Sequence, residues 1–103
     1  MPKSITVKEL NAKLAAGLTD ARIIDVRSPE EFSSGAIPQA MNIPLSQLAN
    51  CVTELKVTKT LYVVCHSGGR SRVATLMLEA AGCTSVYNIT GGTSAWLAAG
   101  FSI

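Results

Sequence analysis

Cys65 opens the stretch CHSGGRS, residues 65–71, whose side chains are the best equipped for chemistry in this 103-residue chain. Immediately before it stands Leu61-Tyr62-Val63-Val64, an apolar run with two β-branched residues. That pattern predicts a strand buried on both faces of a parallel sheet. Beyond it, Val73, Leu76, Met77 and Ala80 recur at i, i+3, i+4 and i+7, which predicts a helix with these four on its apolar face. Cys65 therefore sits at the C-terminal edge of a strand, where open α/β sheets hold their ligands. The adjacent glycines Gly68 and Gly69 let a short turn aim several backbone N–H groups at one spot, and the helix N-terminus adds its positive end. A thiol in such surroundings ionises readily, its pKa falling from ~8.5 to roughly 3.5–7.5. The chemistry expected is that of a thiolate nucleophile in a cradle of donors.

The neighbouring residues admit more than one role. Arg70 either draws anions to the rim or satisfies loop carbonyls. Arg72 reads as a solvated helix residue that adds positive field near the mouth. His66 is the sole histidine, but adjacent residues on a tight turn usually diverge, which weighs against a general-base pairing with Cys65. Ser67 and Ser71 are candidate hydrogen-bond donors to the sulfur, and Ser71 is equally a candidate helix cap. Asp25 and Arg27 end another apolar run and reach the same sheet edge. They suit a buried ion pair that ties down the next loop better than they suit substrate contact. Cys51 and Cys83 lack any comparable setting and are expected to have no role. Gly91-Gly92 reads as a backbone turn, since no lysine follows as in a phosphate loop.

The elements that must position this loop follow in order. Thr6 and Glu9 form a T-x-x-E capping box for a helix through Val7, Leu10 and Leu14, stopped by Gly17. Residues 21–26 predict a first buried strand. Ser28, Pro29 and Glu31 then start a short helix ending near Gly35. Residues 36–45, with prolines at 38 and 44, suit a brief strand. Residues 45–55 suit a helix with Ser46 as a candidate cap. After the Cys65 loop and its helix, which is expected to end at Gly82, residues 85–89 predict another strand. A last helix at 93–99 carries Trp96 into the core. Strand and helix alternate throughout, which predicts one three-layer α/β domain over residues 1–103 with a mainly parallel sheet.

Composition excludes several classes. A net charge of +2 with 16% charged residues gives no basic stripe for nucleic acid. Nothing after Glu79 is charged, but that segment is broken by Gly91, Gly92, Thr93 and Ser94, so no membrane span is expected. MPKSITVKEL lacks the apolar run of a secretory signal. Three cysteines without a C-x-x-C pair argue against a disulfide framework and a zinc site, and fit a reducing, cytoplasmic setting.

Four segments in register carry a resemblance: IDVRSPEEFSSGAIPQAMNIPL at 24–45, CHSGGRS at 65–71, VYNITGG at 86–92 and AWLAAGF at 95–101. Together they resemble the rhodanese (thiosulfate sulfurtransferase) family in its single-domain form, from about residue 21 to the end. The resemblance implies a rhodanese-like fold with a central, mainly parallel sheet flanked by helices. It implies that Cys65 is catalytic and carries sulfur as a persulfide, with His66, Ser67, Gly68, Gly69, Arg70 and Ser71 forming the substrate-binding loop and Asp25 and Arg27 supporting it. A small anionic donor such as thiosulfate and a thiol or cyanide acceptor, including a protein thiol, are the implied partners. No metal, cofactor, nucleic acid or membrane is implied, and a monomer is expected. One position departs: Ala36 follows Gly35 where the family commonly has histidine or another polar residue. Positions 66 and 67 vary in the family and tune donor or acceptor, so the resemblance names the reaction class better than the substrate.

Two other functions compete. Cysteine-dependent phosphatases and arsenate reductases have a similar loop with five residues between cysteine and arginine, whereas four intervene here, His66 to Gly69. The shorter ring suits one sulfur atom better than a tetrahedral oxyanion. A non-catalytic rhodanese-like binding module is the third reading, and the presence of Cys65 counts against it.

Overall fold

The computed structural model describes residues 3–103. Strand β1 (Lys3–Ile5) leads into helix α1 (Val7–Ala16), then β2 (Ala21–Asp25), α2 (Pro29–Ser33) and β3 (Ala40–Asn42). A 3-10 helix (Leu45–Cys51) runs directly into α3 (Val52–Leu55), followed by β4 (Thr60–Val64), α4 (Gly69–Ala80), β5 (Val86–Ile89) and α5 (Gly92–Ala98). The five strands form one sheet in the order β1-β5-β4-β2-β3, and every pairing is parallel. β4 lies at the centre between β2 and β5. No helix among the described residues is long and apolar enough to cross a membrane.

The period of two along β4 builds two cores. Leu61 and Val63 face a cluster with Ile24, Leu48, Leu55, Ala74 and Leu78, on the side of the 3-10 helix, α3 and α4. Tyr62 and Val64 face Ile23, Leu10, Ile89 and Trp96, on the side of α1 and α5. Helices on both faces make the expected three layers. Both capping boxes form: Thr6 and Glu9 exchange side-chain-to-backbone bonds at α1, and Ser28 and Glu31 do the same at α2.

Four expectations need correction. β1 has no counterpart in the sequence reading; only Ile5 of its three residues is buried. Val26 lies outside β2, although its N–H still bonds the Val64 carbonyl at 3.0 Å and extends the pairing by one link. Residues 45–51 wind as a 3-10 helix entered through Pro44, and Ser46 caps nothing. Most consequentially, Val73, Leu76 and Met77 are 49%, 48% and 37% exposed. The buried face of α4 is Ser71, Ala74, Thr75 and Leu78. Two positions separate the sets, about 200° around a helix of 3.6 residues per turn. α4 packs its small and hydroxyl residues inward and leaves its apolar stripe outside.

Candidate active site

β4 delivers Cys65 to the C-terminal edge of the sheet, at 1% exposure. The next residues turn sharply: Gly68 has φ +114°, a left-handed conformation open to glycine at little cost, and α4 starts at Gly69. Only four residues separate β4 from α4, so Gly69, Arg70 and Ser71 already belong to the helix. The Gly68 N–H reaches the Cys65 Sγ at 3.0 Å.

Burial works against ionisation of Cys65 and is the largest single influence. It is outweighed by hydrogen bonds from the Ser71 side chain and from the backbone N–H groups of Ser71, Gly68 and Ser67, so the pKa lies below the ordinary 9.0. Cys83 shows the contrast. Burial pushes its thiol up, Lys56 offsets this only in part, and no donor ring compensates. Site-resolved alkylation by iodoacetamide against pH should therefore place the Cys65 midpoint below 9.0 and that of Cys83 above it. A Cys65 midpoint at or above that of Cys83 would mean that burial wins over the donors.

The loop is clamped from below by α5. The Thr93 N–H donates to the Cys65 carbonyl and the Ser94 N–H to the His66 carbonyl, both at 2.9 Å. Gly92, φ +60°, lies so close that a Cβ there would collide with the Cys65 carbonyl oxygen. The Thr93 hydroxyl is buried without a partner among the described residues.

Asp25 and Arg27 form the expected buried ion pair, 0% and 4% exposed. Arg27 Nη2 donates to Asp25 Oδ2 and to the Gly35 carbonyl, both at 2.8 Å, which ties down the loop after α2. Asn42 Nδ2 holds the carbonyls of Asp25 and Arg27 at 3.0 Å from the next strand.

Arg70 finds its hydrogen-bond partner on α2 rather than among the loop carbonyls. Its two terminal nitrogens donate to the two carboxylate oxygens of Glu31, each at 2.8 Å. Glu31 thus serves both as the capping-box acid of α2 and as a bidentate partner for α4. The Arg70 guanidinium, with help from the Ser28 N–H, holds the Glu31 carboxyl down at about 2. Because that pKa lies below the ordinary 4.5, the contribution is fully present above pH 4.5 and fades as pH falls toward about 2. The pair is 41% and 35% exposed, so screening limits it. Pair and cap together should be worth about 1 kcal/mol. Urea unfolding should show wild type losing that amount across the window, and Glu31→Gln should lack that segment of the decline.

Ser71 is not a cap, since Gly68 occupies the N-cap position without a side-chain bond. Its buried hydroxyl instead lies 3.1 Å from the Gly68 carbonyl oxygen and 2.5 Å from Asn88 Oδ1 on β5. His66 and the Ser67 side chain are exposed, and what Ser67 offers the sulfur is its backbone N–H. Trp96 is buried against Phe101 as expected. Cys51 is half-buried, and Cys83 is buried at the end of α4. Sequence reasoning missed Glu31 as a partner of Arg70, Asn88 as a partner of Ser71, and the clamp from α5. Asn88 and Gly92 lie inside the VYNITGG segment; the pairing of Glu31 with a residue 39 positions away left no local signal.

Among the described residues, no three of His, Cys, Asp and Glu come together as metal ligands do. A shallow cavity of about 260 Å³ lies at the other end of the sheet, lined by Lys13, Leu18, Ala21, Thr60 and Tyr62, and has no part in the Cys65 cradle. The cradle offers a thiol whose ionisation its donors favour, with the Gly68 N–H aimed at the sulfur, which is the equipment of nucleophilic catalysis on a small centre.

Comparison with known proteins agrees with this architecture. The family model of the rhodanese-like domain matches residues 6–99. An uncharacterized protein of Bacillus subtilis, YqhL, is 42% identical over 94 residues, covering 91% of this chain and 71% of that one. A sulfurtransferase of Allochromatium vinosum is 31% identical over 103 residues, covering 100% of this chain and 95% of that one. Among solved structures, a protein of unknown function from Rhodopseudomonas palustris, described as a possible tyrosine phosphatase, superposes with a TM-score of 0.92 at 25% identity. It covers 99% of this chain and 84% of that one.

Proposed function

The chain belongs to the rhodanese-like domain family, and on that premise we propose that it is a sulfurtransferase in which Cys65 carries a sulfane sulfur as a persulfide. The observation that carries this reading is the Gly68 N–H on the Cys65 sulfur at 3.0 Å, at the turn from β4 into α4. In the first half-reaction the Cys65 thiolate attacks the outer sulfur of a donor such as thiosulfate. A new S–S bond forms, the donor's S–S bond breaks, and sulfite leaves with the bonding pair. In the second, cyanide or a thiol attacks the outer sulfur and the Cys65 thiolate departs. No strong base is required, because the cradle's donors lower the pKa of the thiol and so favour its ionisation. The same N–H groups would hold the persulfide anion. His66, exposed beside the cradle, and Ser67 would meet the donor or acceptor, while Asp25 and Arg27 would hold the loop framework from beneath. The relationship to a sulfurtransferase supports the reaction class; thiosulfate as donor is part of the proposal.

The phosphatase reading is disfavoured on geometry. Arg70 spends two of its five N–H groups on Glu31, which orients the guanidinium toward α2. Asp25 and Glu31 are each committed to an arginine, which leaves neither to protonate a leaving alcohol. Intact-mass measurement after incubation with thiosulfate in the absence of reductant tests the proposal. The expected result is the gain of one sulfur atom, removed again by cyanide. No gain from thiosulfate or from a persulfide donor would overturn it.

A further inference from the structure

We propose that Glu31 is a specificity-determining residue: by holding Arg70 it keeps the mouth of the Cys65 cradle from selecting reactants by negative charge, and so fits it to sulfur donors that carry little. The proposal deepens the sulfurtransferase reading and rests on Cys65 as the nucleophile.

The pair stands at the rim of the cradle. Asp25 is opposite Val64 in the sheet and the Val26 N–H bonds the Val64 carbonyl, so the chain entering α2 leaves the sheet beside Cys65. Glu31 lies in the first turn of α2. Arg70 lies in the first turn of α4, two residues beyond Gly68, whose N–H is on the sulfur. Two bonds of 2.8 Å join Arg70 to Glu31 in the bidentate fit of guanidinium to carboxylate. Asp25 and Arg27, the other pair at this sheet edge, are likewise closed on each other. Arg72, exposed on α4, is left without an ion-pair partner among the described residues. Because Glu31 occupies only two of the five guanidinium N–H groups, what it takes from the mouth is chiefly charge. A donor nearing the sulfur meets a neutral pair in place of a cation. A dianion such as thiosulfate loses twice the attraction that a monoanion loses, and a neutral donor loses none.

Iodoacetate and iodoacetamide alkylate the same thiolate and differ by one negative charge. The ratio of their rates at Cys65 therefore cancels the acidity of the thiol and reads the charge of the mouth. Glu31→Gln keeps a capping acceptor on α2. At low salt it should raise the iodoacetate:iodoacetamide ratio about threefold, as for a unit charge acting across roughly 7 Å of water. Arg70→Gln should lower the ratio by a similar factor, and the double variant should return close to wild type. Added salt should draw all these ratios together. Glu30→Gln removes the same charge one position away, from an exposed side chain with no ion pair among the described residues, and should move the ratio less. An unchanged ratio in Glu31→Gln, an equal rise in Glu30→Gln, or a shift of both single variants in one direction, as a merely structural pair would produce, overturns the proposal. If Glu31→Gln does not fold, Arg70→Gln decides alone, and a ratio that fails to fall overturns it. Loading of sulfur from dilute thiosulfate should rise about ninefold in Glu31→Gln, the square of the monoanion effect; no rise in a protein that does load would equally overturn the proposal. Alkylation requires no sulfur transfer, so the charge of the mouth and the persulfide reading stand or fall separately.

Discussion

Cys65→Ser should abolish sulfur loading completely, while Cys51→Ser and Cys83→Ser should each load like the wild type. The argument is one of acidity and placement. A serine hydroxyl in the same cradle stays protonated at neutral pH and has no sulfur on which a persulfide could form. Its slightly smaller atom should keep the fold, so loss of function would not be loss of structure. Cys51, at the junction of the 3-10 helix and α3, is half-buried with no donor ring described around it. Cys83 is buried at the far end of α4, where burial holds its thiol protonated. Intact mass and thiosulfate:cyanide transfer, measured on the three variants side by side, separate the positions. A folded Cys65→Ser protein that still gained a sulfur atom would move the nucleophile elsewhere.

What the sequence made legible follows from where its signals are local. Both capping boxes are four-residue chemistry, Thr6 with Glu9 and Ser28 with Glu31, and both form as expected. β4 is legible because a strand buried on both faces is apolar throughout. The buried Asp25–Arg27 pair is legible because its members stand two residues apart at a strand end. The missing parts depend on distant neighbours. β1 exists because β5 offers it a free edge, and three residues with one buried side chain cannot announce that. The face of α4 was read from hydrophobicity, but the helix starts at the cradle, and its rotation is set by Ser71 turning inward toward Asn88 and the sulfur. Ala74, Thr75 and Leu78 must follow on that face, which leaves Val73, Leu76 and Met77 outside. The sequence offers Arg70 the rim or the loop carbonyls but not Glu31, which already has a visible duty at its helix cap. A carboxylate with two oxygens can serve both, and nothing in the spacing says so.

Gly92→Ala should cripple the cradle by displacing the carbonyls behind it. Each peptide unit is planar and trans, so the His66 carbonyl and the Ser67 N–H point in opposite directions from one rigid plane. Holding the carbonyl therefore aims the N–H. The first turn of α5 does the holding, with Thr93 on the Cys65 carbonyl and Ser94 on the His66 carbonyl, both at 2.9 Å. Such close approach is open only to a residue without a side chain. A Cβ on Gly92 would overlap the Cys65 oxygen and stand 2.7 Å from that of His66, and both belong to backbone that cannot swing aside alone. The loop or α5 must move, and either movement turns the Ser67 N–H off the sulfur. Overpacking of this kind costs about 1–3 kcal/mol of stability. Loss of a preorganised donor lowers the rate on the order of a hundredfold. Gly69→Ala supplies the control, since its Cβ would meet nothing within 4 Å although it stands inside the same loop-to-helix turn. Persulfide formation rates and urea midpoints on both variants decide the matter. A Gly92→Ala protein as active as Gly69→Ala would show that the carbonyl clamp does not aim the donors.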